Sequence, residues 1–319
     1  MKALILEQQG RLPKYGEIAE PVSADDKHIL VSVKAAAIKQ IDRIKAAGKH
    51  YTSYPSLPAV IGTDGVVALK NGKRAYAHGI GLTGMIAEKA LIEKNNWVEL
   101  PDGLSDEAAA ALPNALIGAD MALLYRAKIK KGDVVLINGA TGITGKIAVQ
   151  LAKHYKASQI IATGRNPKSL QELKALGADI TISLKQEDEQ IVNQLIEIQK
   201  KTPINFVLDY IWGHPVELIL KALQIAKAKK VKVITIGEMA GSQISMASGV
   251  LRSTDIKILG SGIGSFSAKK MKKYEQKIMP KRFKLAAEGK LKIDTETVEL
   301  KDIEKAWLKR TNKRIVVKI

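Results

Sequence analysis

Cysteine is absent from this chain of 319 residues. Its absence excludes disulfides, cysteine-ligated zinc, iron–sulfur clusters and thiol nucleophiles. Aromatic residues are also scarce, at 4% of the chain, so the core must be aliphatic and built from Ile, Val, Leu and Ala. With 46% hydrophobic and 26% charged residues the chain can bury a sizeable core, which excludes a disordered or fibrous protein. This length corresponds to roughly two ordinary domains.

The sequence has no apolar run that approaches the length of a membrane span. The apolar residues 3–6 are followed at once by Glu7, which leaves too short a stretch for the centre of a secretory signal. We therefore expect a soluble, cytoplasmic protein without a membrane span.

Lysine and arginine outnumber aspartate and glutamate by 51 to 32, which gives a formal net charge of +19. Residues 269–319 alone hold 17 Lys/Arg against seven Asp/Glu, and the densest stretch is 269–284. A basic stretch of this kind can bind nucleic acid or another acidic surface. Because interleaved aromatics and an arginine-led reading motif are missing, we interpret it as a solvated helix face and expect no nucleic-acid partner.

The first hundred residues predict a β-rich, loop-heavy segment. Short strands are predicted at residues 3–6, 29–33, 66–69 and 74–77. Asn71-Gly72 predicts a hairpin turn between the last two of them. Ser105 can then cap a helix that is expected to run to about residue 127, with a kink or break at Pro113.

From residue 133 onward, short apolar runs alternate regularly with helical patterns. The first run is continuous, which is typical of a strand buried on both faces. Six strands are predicted, at residues 134–137, 159–163, 179–183, 204–209, 231–236 and 255–259. Their alternation with helices predicts an α/β fold with a doubly wound, six-stranded parallel Rossmann sheet.

After residue 264 a helical pattern continues to about residue 288, and strand, helix and strand patterns follow up to residue 319. These last pieces have no place in a completed six-stranded sheet, so we expect them to rejoin the N-terminal β-rich part. The predicted domains are therefore residues 111–264, which bind a dinucleotide, and a discontinuous substrate domain of residues 1–110 and 265–319.

A glycine-containing loop, residues 139–145, joins the first strand of this sheet to its helix. The pattern Ala140-x-Gly142-x-x-Gly145 matches the dinucleotide fingerprint with alanine in place of the first glycine. Gly142 lets the backbone approach a pyrophosphate, Gly145 lets the helix pack closely on the strand, and the helix N-terminus binds the phosphates. The predicted phosphate-binding residues are Ala140, Thr141, Gly142, Ile143, Thr144 and Gly145.

Two other nucleotide-binding arrangements are excluded by their spacing. A P-loop needs four residues between its glycines, then Lys and Ser or Thr, whereas here five residues separate Gly139 from Gly145 and Ile147 follows Lys146. A short-chain reductase would carry Tyr-x-x-x-Lys, and no tyrosine in this chain has a lysine four residues later.

The second strand of the sheet indicates which cofactor is bound. An NAD site places Asp or Glu about 20 residues beyond the loop, and no carboxylate stands there in this sequence. Arg165 and Lys168 stand there instead and can bind the 2′-phosphate that distinguishes NADPH. Cations at a helix N-terminus oppose the helix dipole, and phosphate binding explains why two of them occur there. We therefore predict NADPH, with contacts at Gly164, Arg165, Asn166 and Lys168.

Together these features resemble the zinc-free quinone oxidoreductase-like branch of the medium-chain dehydrogenase/reductase superfamily over essentially all 319 residues. Beyond the glycine loop the resemblance rests on residues 35–48, 58–65, 100–104, 287–290 and 300–302. It implies that the β-rich part is a GroES-like domain into which the Rossmann domain is inserted. The expected cofactor contacts also include Asn114, Tyr210, Gly237 and Ser261.

Zinc-dependent relatives carry a cysteine three residues before the aspartate that corresponds to Asp42, and a His-Glu pair after the glycine that corresponds to Gly62. This chain has Lys39, Thr63 and Asp64 at those positions, so the resemblance implies no catalytic zinc site. The five histidines of the chain are scattered without the spacing of metal ligands.

The sequence also departs from the quinone reductases themselves. Lys39 replaces their usual asparagine, Ile44 replaces an aromatic residue, and Gly118 replaces a threonine near the nicotinamide. The resemblance therefore supports cofactor binding more directly than quinone specificity.

The expected activity is NADPH-dependent transfer of hydride to a quinone, an enone or another activated carbonyl in a cleft between the two domains, without zinc. Lys39 is expected to stabilise negative charge on the substrate oxygen, with Asp42 holding its ammonium in place. Tyr51 and Tyr54 are candidate walls or hydroxyl donors for the substrate. Two alternatives stay open: an NADPH sensor with little turnover, and a basic nucleic-acid-binding protein on a reductase fold.

The last predicted strand of the sheet, residues 255–259, ends it as an apolar edge. A bare edge favours pairing with the same strand of a second copy, so we expect a homodimer or a dimer of dimers.

Overall fold

The computed structural model describes residues 1–49, 54, 56–81 and 83–319. The chain forms two compact units, one of Met1–Asn114 with Lys272–Ile319 and the other of Ala115–Met271. The domain boundaries predicted after residues 110 and 264 stay a prediction, and the division seen here falls after residues 114 and 271.

Strands dominate the first hundred residues, and strands alternate with helices from residue 134 onward, as the sequence predicts. In chain order the strands are β1 (Lys2–Leu6), β2 (Lys14–Glu17), β3 (His28–Ala37), β4 (Ala59–Val60), β5 (Asp64–Ala68), β6 (Arg74–His78), β7 (Lys89–Glu93), β8 (Trp97–Glu99), β9 (Val134–Asn138), β10 (Gln159–Gly164), β11 (Ile180–Ser183), β12 (Phe206–Asp209), β13 (Val231–Thr235), β14 (Ile256–Gly260), β15 (Thr295–Glu299) and β16 (Arg314–Lys318). The helices are α1 (Gln40–Ala46), α2 (Asp106–Met121), α3 (Ile143–His154), α4 (Pro167–Leu176), α5 (Asp188–Lys201), α6 (Gly213–Ile225), α7 (Ser248–Arg252), α8 (Ala268–Lys277), α9 (Met279–Ala287) and α10 (Ile303–Trp307).

The first unit contains a seven-stranded sheet and a three-stranded sheet. The larger sheet has the strand order β15-β16-β3-β5-β6-β8, with β7 also paired to β3, and the smaller has the order β2-β1-β4. β16 pairs antiparallel with β3, which confirms that the last residues join the N-terminal sheet. Alternate residues of β3, such as Val31 and Val33, pack with Val317 of β16 in one aliphatic core.

The second unit is built on a six-stranded sheet in the order β11-β10-β9-β12-β13-β14. All of its strand pairs are parallel, which confirms the doubly wound Rossmann sheet predicted from the sequence. β9 is buried along its whole length, as its continuous apolar run predicts. The strand order reverses between β9 and β12, and in this architecture ligands bind at the carboxyl ends of those strands.

The helix α2 continues past Pro113 and is followed directly by a π-helical segment, Ala122–Ala127. The predicted break at Pro113 is wrong, because fully buried neighbours such as Ala110 and Leu116 hold the helix in place by packing. By length and composition the segment Asp106–Ala127 could cross a membrane, contrary to the expectation from the sequence. Its most apolar window is 72% buried inside the protein, which is typical of a core helix.

Candidate functional site

The glycine loop joins β9 to α3 at the carboxyl edge of the parallel sheet. Gly139 has a φ of +79°, and a Cβ added there would lie 2.5 Å from Cγ2 of Ile211. A Cβ on Gly145 would lie 2.6 Å from Cα of Ala140, so only glycine lets α3 pack this closely on the loop. A Cβ on Gly142, the residue before α3, would meet only the carbonyl oxygen of Gly139, at 3.9 Å. The N-terminus of α3 is therefore open to the approach of an anion.

Three buried polar side chains hold this loop in place, one from the end of each of three neighbouring strands. The amide of Asn138 donates to Oδ1 of Asp209 (2.8 Å), and Oγ1 of Thr163 donates to Oδ1 of Asn138 (2.6 Å). The N–H of Gly139 donates in turn to Oγ1 of Thr163 (3.1 Å). The three side chains are fully buried. Sequence reasoning missed this network, because only the pairing of β9 with β10 and β12 brings its members together.

Asp209 is the charged member of the network. Its carboxylate also accepts the backbone N–H of Ile211 (3.3 Å) and of Trp212 (3.2 Å). Burial raises the pKa of Asp209, and the hydrogen bonds from Asn138 and these two N–H groups oppose that rise. The carboxylate thereby connects the turn after β12 to the end of β9.

The predicted cofactor residues beyond the loop lie at the same carboxyl edge. Gly164 ends β10 beneath the side chain of Thr141, since a Cβ on Gly164 would lie 2.3 Å from Cγ2 of Thr141. Tyr210 follows β12 and Gly237 lies beyond β13, where a Cβ on Gly237 would lie 2.6 Å from the carbonyl oxygen of Tyr210. Ser261 follows β14 directly. The parallel sheet thus assembles residues that are more than one hundred positions apart in sequence.

Two buried hydroxyls at this edge, Oη of Tyr210 and Oγ of Ser261, have no hydrogen-bond partner within the described part of the chain. Tyr210 is 8% exposed and Ser261 is 5% exposed. Burial, together with the negative charge of Asp120, raises the pKa of Tyr210, so its hydroxyl stays protonated and can donate. Buried polar groups normally have a partner, so both hydroxyls are available to a ligand.

Three cations lie at the ends of β10 and β11. Arg165 and Lys168 are exposed, and neither pairs with a carboxylate of any residue that the structure describes. Lys185 lies beyond β11, next to Leu184, whose N–H donates to the carbonyl oxygen of Gly164 (2.8 Å). Sequence reasoning missed Lys185, because only the pairing of β10 with β11 places it beside the other two cations.

The remaining predicted cofactor residues occupy helices. The first turn of α3 contains Ile143, Thr144 and Gly145. Oδ1 of Asn166 accepts the N–H of Ser169 (3.0 Å) and so caps α4, which leaves the Asn166 amide for a ligand. Asn114 lies on α2 in the first unit. A Cβ on Gly118 would lie 3.1 Å from Cγ2 of Thr144, so the methyl group of Thr144 fills space that a side chain at 118 would need.

The second unit therefore fits a dinucleotide. The open N-terminus of α3 suits a pyrophosphate, the unpaired cations suit a further phosphate, and the two free hydroxyls suit polar atoms of the nucleotide.

In the first unit, Lys39 is 1% exposed, whereas most lysines lie on the surface. Its ammonium lies 2.7 Å from Oδ1 of Asp64 and donates to the carbonyl oxygens of Ala37 (3.2 Å) and Asp64 (3.3 Å). Two backbone carbonyls and one carboxylate thus hold the ammonium inside the core, away from solvent. The geometry therefore does not support the charge-stabilising role expected for Lys39.

The expectation that Asp42 holds the Lys39 ammonium is wrong. One carboxylate oxygen of Asp42 accepts the backbone N–H of Lys39 (2.9 Å) instead. The other accepts both the N–H (3.1 Å) and the hydroxyl (2.7 Å) of Thr63. A short acidic side chain in the first turn of a helix reaches back to the chain that enters it, as in a capping box. Asp42 thus ties the start of α1 to the residue before β5.

Tyr54 is partly buried against the core of the first unit. Burial and the negative charge of Asp42 raise the pKa of Tyr54. Its hydroxyl therefore stays protonated at ordinary pH and can donate a hydrogen bond. Tyr51, the other predicted substrate-binding tyrosine, lies outside the described residues.

No cluster of three or more potential ligands that could hold a metal ion occurs in residues 1–49, 54, 56–81 and 83–319. At the position where zinc-dependent relatives carry a cysteine, the structure has the buried ammonium of Lys39. A fixed positive charge this close to Asp64 repels a metal cation from that carboxylate.

Comparison with known proteins identifies related sequences. The family described as zinc-binding dehydrogenase matches residues 144–279. The chloroplastic NADPH-dependent alkenal/one oxidoreductase of Arabidopsis thaliana is 33% identical over 210 residues, which are 59% of this chain and 53% of that protein. The 2-methylene-furan-3-one reductase of Solanum lycopersicum is 33% identical over 189 residues, 54% of this chain and 48% of that protein. The chain spans about half the length of these two relatives.

Among solved structures, the quinone oxidoreductase of Pseudomonas syringae pv. Tomato DC3000 matches this fold with a TM-score of 0.82 and 26% sequence identity. The match covers 100% of this chain and 99% of that one. The predicted combination of a Rossmann sheet with a separate β-rich, GroES-like part is thereby confirmed.

Proposed function

Because the chain belongs to the quinone oxidoreductase-like branch of the medium-chain dehydrogenase/reductase superfamily, we propose that it is an NADPH-dependent reductase of quinones, enones or other activated carbonyls that works without zinc. The carboxyl edge of the parallel sheet carries this proposal, since the glycine loop, two unpartnered hydroxyls and three exposed cations lie along it. The relatives support the substrate classes, because one is named for alkenals and enones and a solved neighbour for quinones.

The residues of the second unit divide the work of holding the cofactor. The first turn of α3 binds the pyrophosphate through backbone N–H groups, next to Gly142. Arg165, Lys168 and Lys185 bind the 2′-phosphate, for which NADH has no equivalent. The hydroxyls of Tyr210 and Ser261 donate to the rest of the nucleotide. When bound, NADPH supplies the hydride.

The buried charges of the first unit support the proposal that the protein works without zinc. Lys39 neutralises Asp64 at 2.7 Å, and Thr63 uses its hydroxyl to donate to Asp42. Lys39, Thr63 and Asp64, which stand where zinc-dependent relatives carry Cys, His and Glu, are therefore all engaged in contacts within the protein, and none is a soft metal ligand.

Without a metal, negative charge on the substrate oxygen must be met by hydrogen-bond donors or be delocalised within the substrate. Tyr54 is the donor that we assign, because its hydroxyl is held in the protonated form. Tyr51 is proposed as a second wall of the substrate site. Quinones and enones are favoured over saturated aldehydes, since their reduced forms spread the charge over a conjugated system.

The experiment that tests this proposal measures NADPH oxidation by the purified protein with quinones, enones, alkenals and saturated aldehydes. We expect turnover with the first three classes and little with saturated aldehydes. NADPH binding without oxidation in any reaction would instead assign the protein as a sensor.

The role of Tyr54 is tested separately with Tyr54→Phe, which keeps the ring and removes the hydroxyl. Loss of one donor to the substrate oxygen should lower kcat/KM by about tenfold or more, with NADPH affinity unchanged. Tyr15→Phe is the matched control, since Tyr15 also packs partly buried against the core of the same unit. Equal kcat/KM values for the two variants would show that the Tyr54 hydroxyl does not donate to the substrate oxygen.

We also infer that the protein is a homodimer. Within the described part of the chain β14 pairs only with β13, so its outer edge is free to pair with a second copy.

A further inference from the structure

Four lysines of the second unit adopt the left-handed backbone conformation that side chains normally avoid. Lys128, Lys156, Lys227 and Lys230 have φ values of 57°, 61°, 50° and 61°. This conformation is sterically unfavourable for a residue with a side chain, and glycine or asparagine usually occupies it. Gly177, in the turn between α4 and β11, is an example of the usual choice. Lysine in four such turns indicates that its charge has a use there.

These turns meet along one edge of the sheet. Lys128, Lys156 and Lys230 precede β9, β10 and β13, and the amino ends of parallel strands lie at the same edge. The N–H of Gly132, before β9, donates to the carbonyl oxygen of Lys156 (2.9 Å), so these two turns are in contact. From β10 to β13 the edge crosses four neighbouring strands, which is a row about 15 Å long. The amino-edge lysines are Lys128, Lys130, Lys131, Lys156, Lys227 and Lys230.

The charges of this row are available to a partner. All six side chains are exposed, and none pairs with a carboxylate among the residues that the structure describes. Two acidic residues at this edge are engaged with the backbone: Asp133 accepts the N–H of Lys130 (2.7 Å) and Asp179 accepts the N–H of Ile160 (2.7 Å). A third, Asp255 before β14, is exposed and forms no ion pair with these lysines within the described part of the chain. Helix dipoles favour a cation near a helix C-terminus, which is where Lys128, Lys156 and Lys227 lie. The dipole does not account for Lys130, Lys131 and Lys230, which lie beyond the helix ends.

A row of ammonium groups of this length matches a linear array of phosphates. About 15 Å corresponds to roughly four steps of a duplex strand at 3.4 Å per phosphate. Tyr155, the aromatic residue next to Lys156, is partly buried, donates its hydroxyl to Asp120 and packs its ring against His154, so it is already engaged within the protein and does not form a stacking platform for unpaired bases. Ile225, 54% exposed, is the exposed large apolar side chain nearest in sequence to the row, and one aliphatic side chain is a weak membrane anchor. We propose that the amino-edge lysines bind the phosphate backbone of a nucleic-acid duplex without reading its sequence.

This site is separate from the nucleotide site of the proposed reductase. The glycine loop lies at the carboxyl edge of the sheet and the lysines at its amino edge, so both can be occupied at once. Sequence reasoning considered only the dense stretch 269–284, because lysines about one hundred residues apart become a row only in the folded sheet.

The test replaces the four left-handed lysines together, as Lys128→Asn, Lys156→Asn, Lys227→Asn and Lys230→Asn. Asparagine tolerates this backbone conformation, so the fold is kept while four charges are removed.

The matched control removes four exposed lysines of the first unit, as Lys272→Gln, Lys273→Gln, Lys277→Gln and Lys281→Gln. Binding to DNA and RNA duplexes of about 20 base pairs is measured by fluorescence anisotropy over a range of salt concentrations. Circular dichroism and NADPH affinity check that both variants are folded.

We expect the full-length protein to bind a DNA or RNA duplex with strong salt dependence. The asparagine variant should bind at least tenfold more weakly, with a log–log salt slope smaller by about 3–4, while the glutamine control changes much less. The proposal is overturned if neither duplex binds, or if the glutamine control loses as much affinity as the asparagine variant. Binding to vesicles that contain phosphatidylserine is measured as well. Vesicle binding that is not reduced by added duplex would also overturn the proposal.

Discussion

The ammonium of Lys39 lies 2.7 Å from Oδ1 of Asp64, and the two side chains are only 1% and 6% exposed. The pair of Lys89 with Glu20 has the same separation of 2.7 Å, but its side chains are 38% and 47% exposed. The chain thus contains two ion pairs of equal length, one in the core and one in water. Because desolvation decides what such a pair contributes, their loss should have very different effects.

Lys39→Met should destabilise the protein by about 3–5 kcal/mol, since it leaves the carboxylate of Asp64 buried without a partner. Lys89→Met should cost less than about 1 kcal/mol. Urea unfolding followed by tryptophan fluorescence measures both. Adding Asp64→Asn to Lys39→Met removes the unpaired charge and should restore much of the loss. Similar unfolding midpoints for the two single variants would contradict this account.

The same double variant separates stability from catalysis. If Lys39 serves only to neutralise the buried carboxylate of Asp64, it has no part in the reaction. A stable Lys39→Met/Asp64→Asn protein should then keep kcat/KM within about threefold, which is under roughly 1 kcal/mol of transition-state stabilisation. A loss of tenfold or more with stability restored would assign the reaction step to Lys39 after all.

The sequence was sufficient to predict the parallel sheet and the glycine loop, because both depend on local patterns. The continuous apolar run of β9 and the glycine at 145 report burial and close packing directly. The partners of Lys39 were not predictable in this way. Asp64 lies 25 residues further along the chain, and it meets Lys39 only because β3, which runs up to Ala37 just before Lys39, pairs with β5.

The network of Asn138, Thr163 and Asp209 was unpredictable for the same reason. Each residue occurs at the end of a strand, where a polar side chain is ordinary. Only the strand order places the three together under the loop. Tertiary pairing, which the local pattern does not encode, is the missing information in both cases.

Arg165, Lys168 and Lys185 should determine the preference for NADPH over NADH. Each charge-assisted contact to the 2′-phosphate contributes about 1.5–3 kcal/mol, so Arg165→Ala or Lys185→Ala should weaken NADPH binding by at least tenfold. NADH binding should change little. Lys174→Ala, an exposed lysine in the last turn of α4, is the control and should affect neither cofactor. Equal affinity of the unsubstituted protein for the two cofactors would contradict the assignment.

Thr163→Val tests the support of the glycine loop. The substitution keeps the shape but leaves the N–H of Gly139 without its acceptor and Oδ1 of Asn138 without its donor. We expect a loss of about 1–3 kcal/mol in stability and weaker NADPH binding. Thr181→Val in the neighbouring strand β11 is the matched control. An unchanged melting temperature for Thr163→Val would show that the network does not hold the loop.

The free edge of β14 should form the dimer interface. Light scattering at micromolar concentration should give twice the mass of one chain. Leu259→Lys adds a charge to the partly buried edge strand and should shift the protein towards the monomer. Thr181→Lys adds the same charge at the opposite edge of the sheet, on β11, and should leave the mass unchanged. A monomeric mass for the unsubstituted protein would remove the proposal.

His78 should make the stability of the first unit depend on pH. Its Nε2 lies 3.2 Å from Oε1 of Glu275. Burial lowers the pKa of His78, but the hydrogen bond to Glu275 and the charges of Asp64 and Glu275 outweigh burial and the repulsion of Lys39, so the net pKa is raised above 6.5. A raised pKa means that the folded state binds the proton more tightly than the unfolded state does. The stabilisation is therefore complete below the unfolded value of about 6.5 and is lost as the pH rises through the folded pKa.

The measurement compares the melting temperature of the protein with that of His78→Gln at acidic and at alkaline pH. The difference should be large on the acid side and small on the alkaline side, since neutral histidine gains little from Glu275. His214→Gln is the control, because His214 pairs with Asp188 on the surface, where its side chain is 59% exposed and solvent screens the pair. A difference for His78→Gln that grows with pH would mean that the group is neutral in the folded protein, with a depressed pKa. Glu275→Gln should reproduce the loss on the acid side, because it removes the carboxylate that holds the proton on His78.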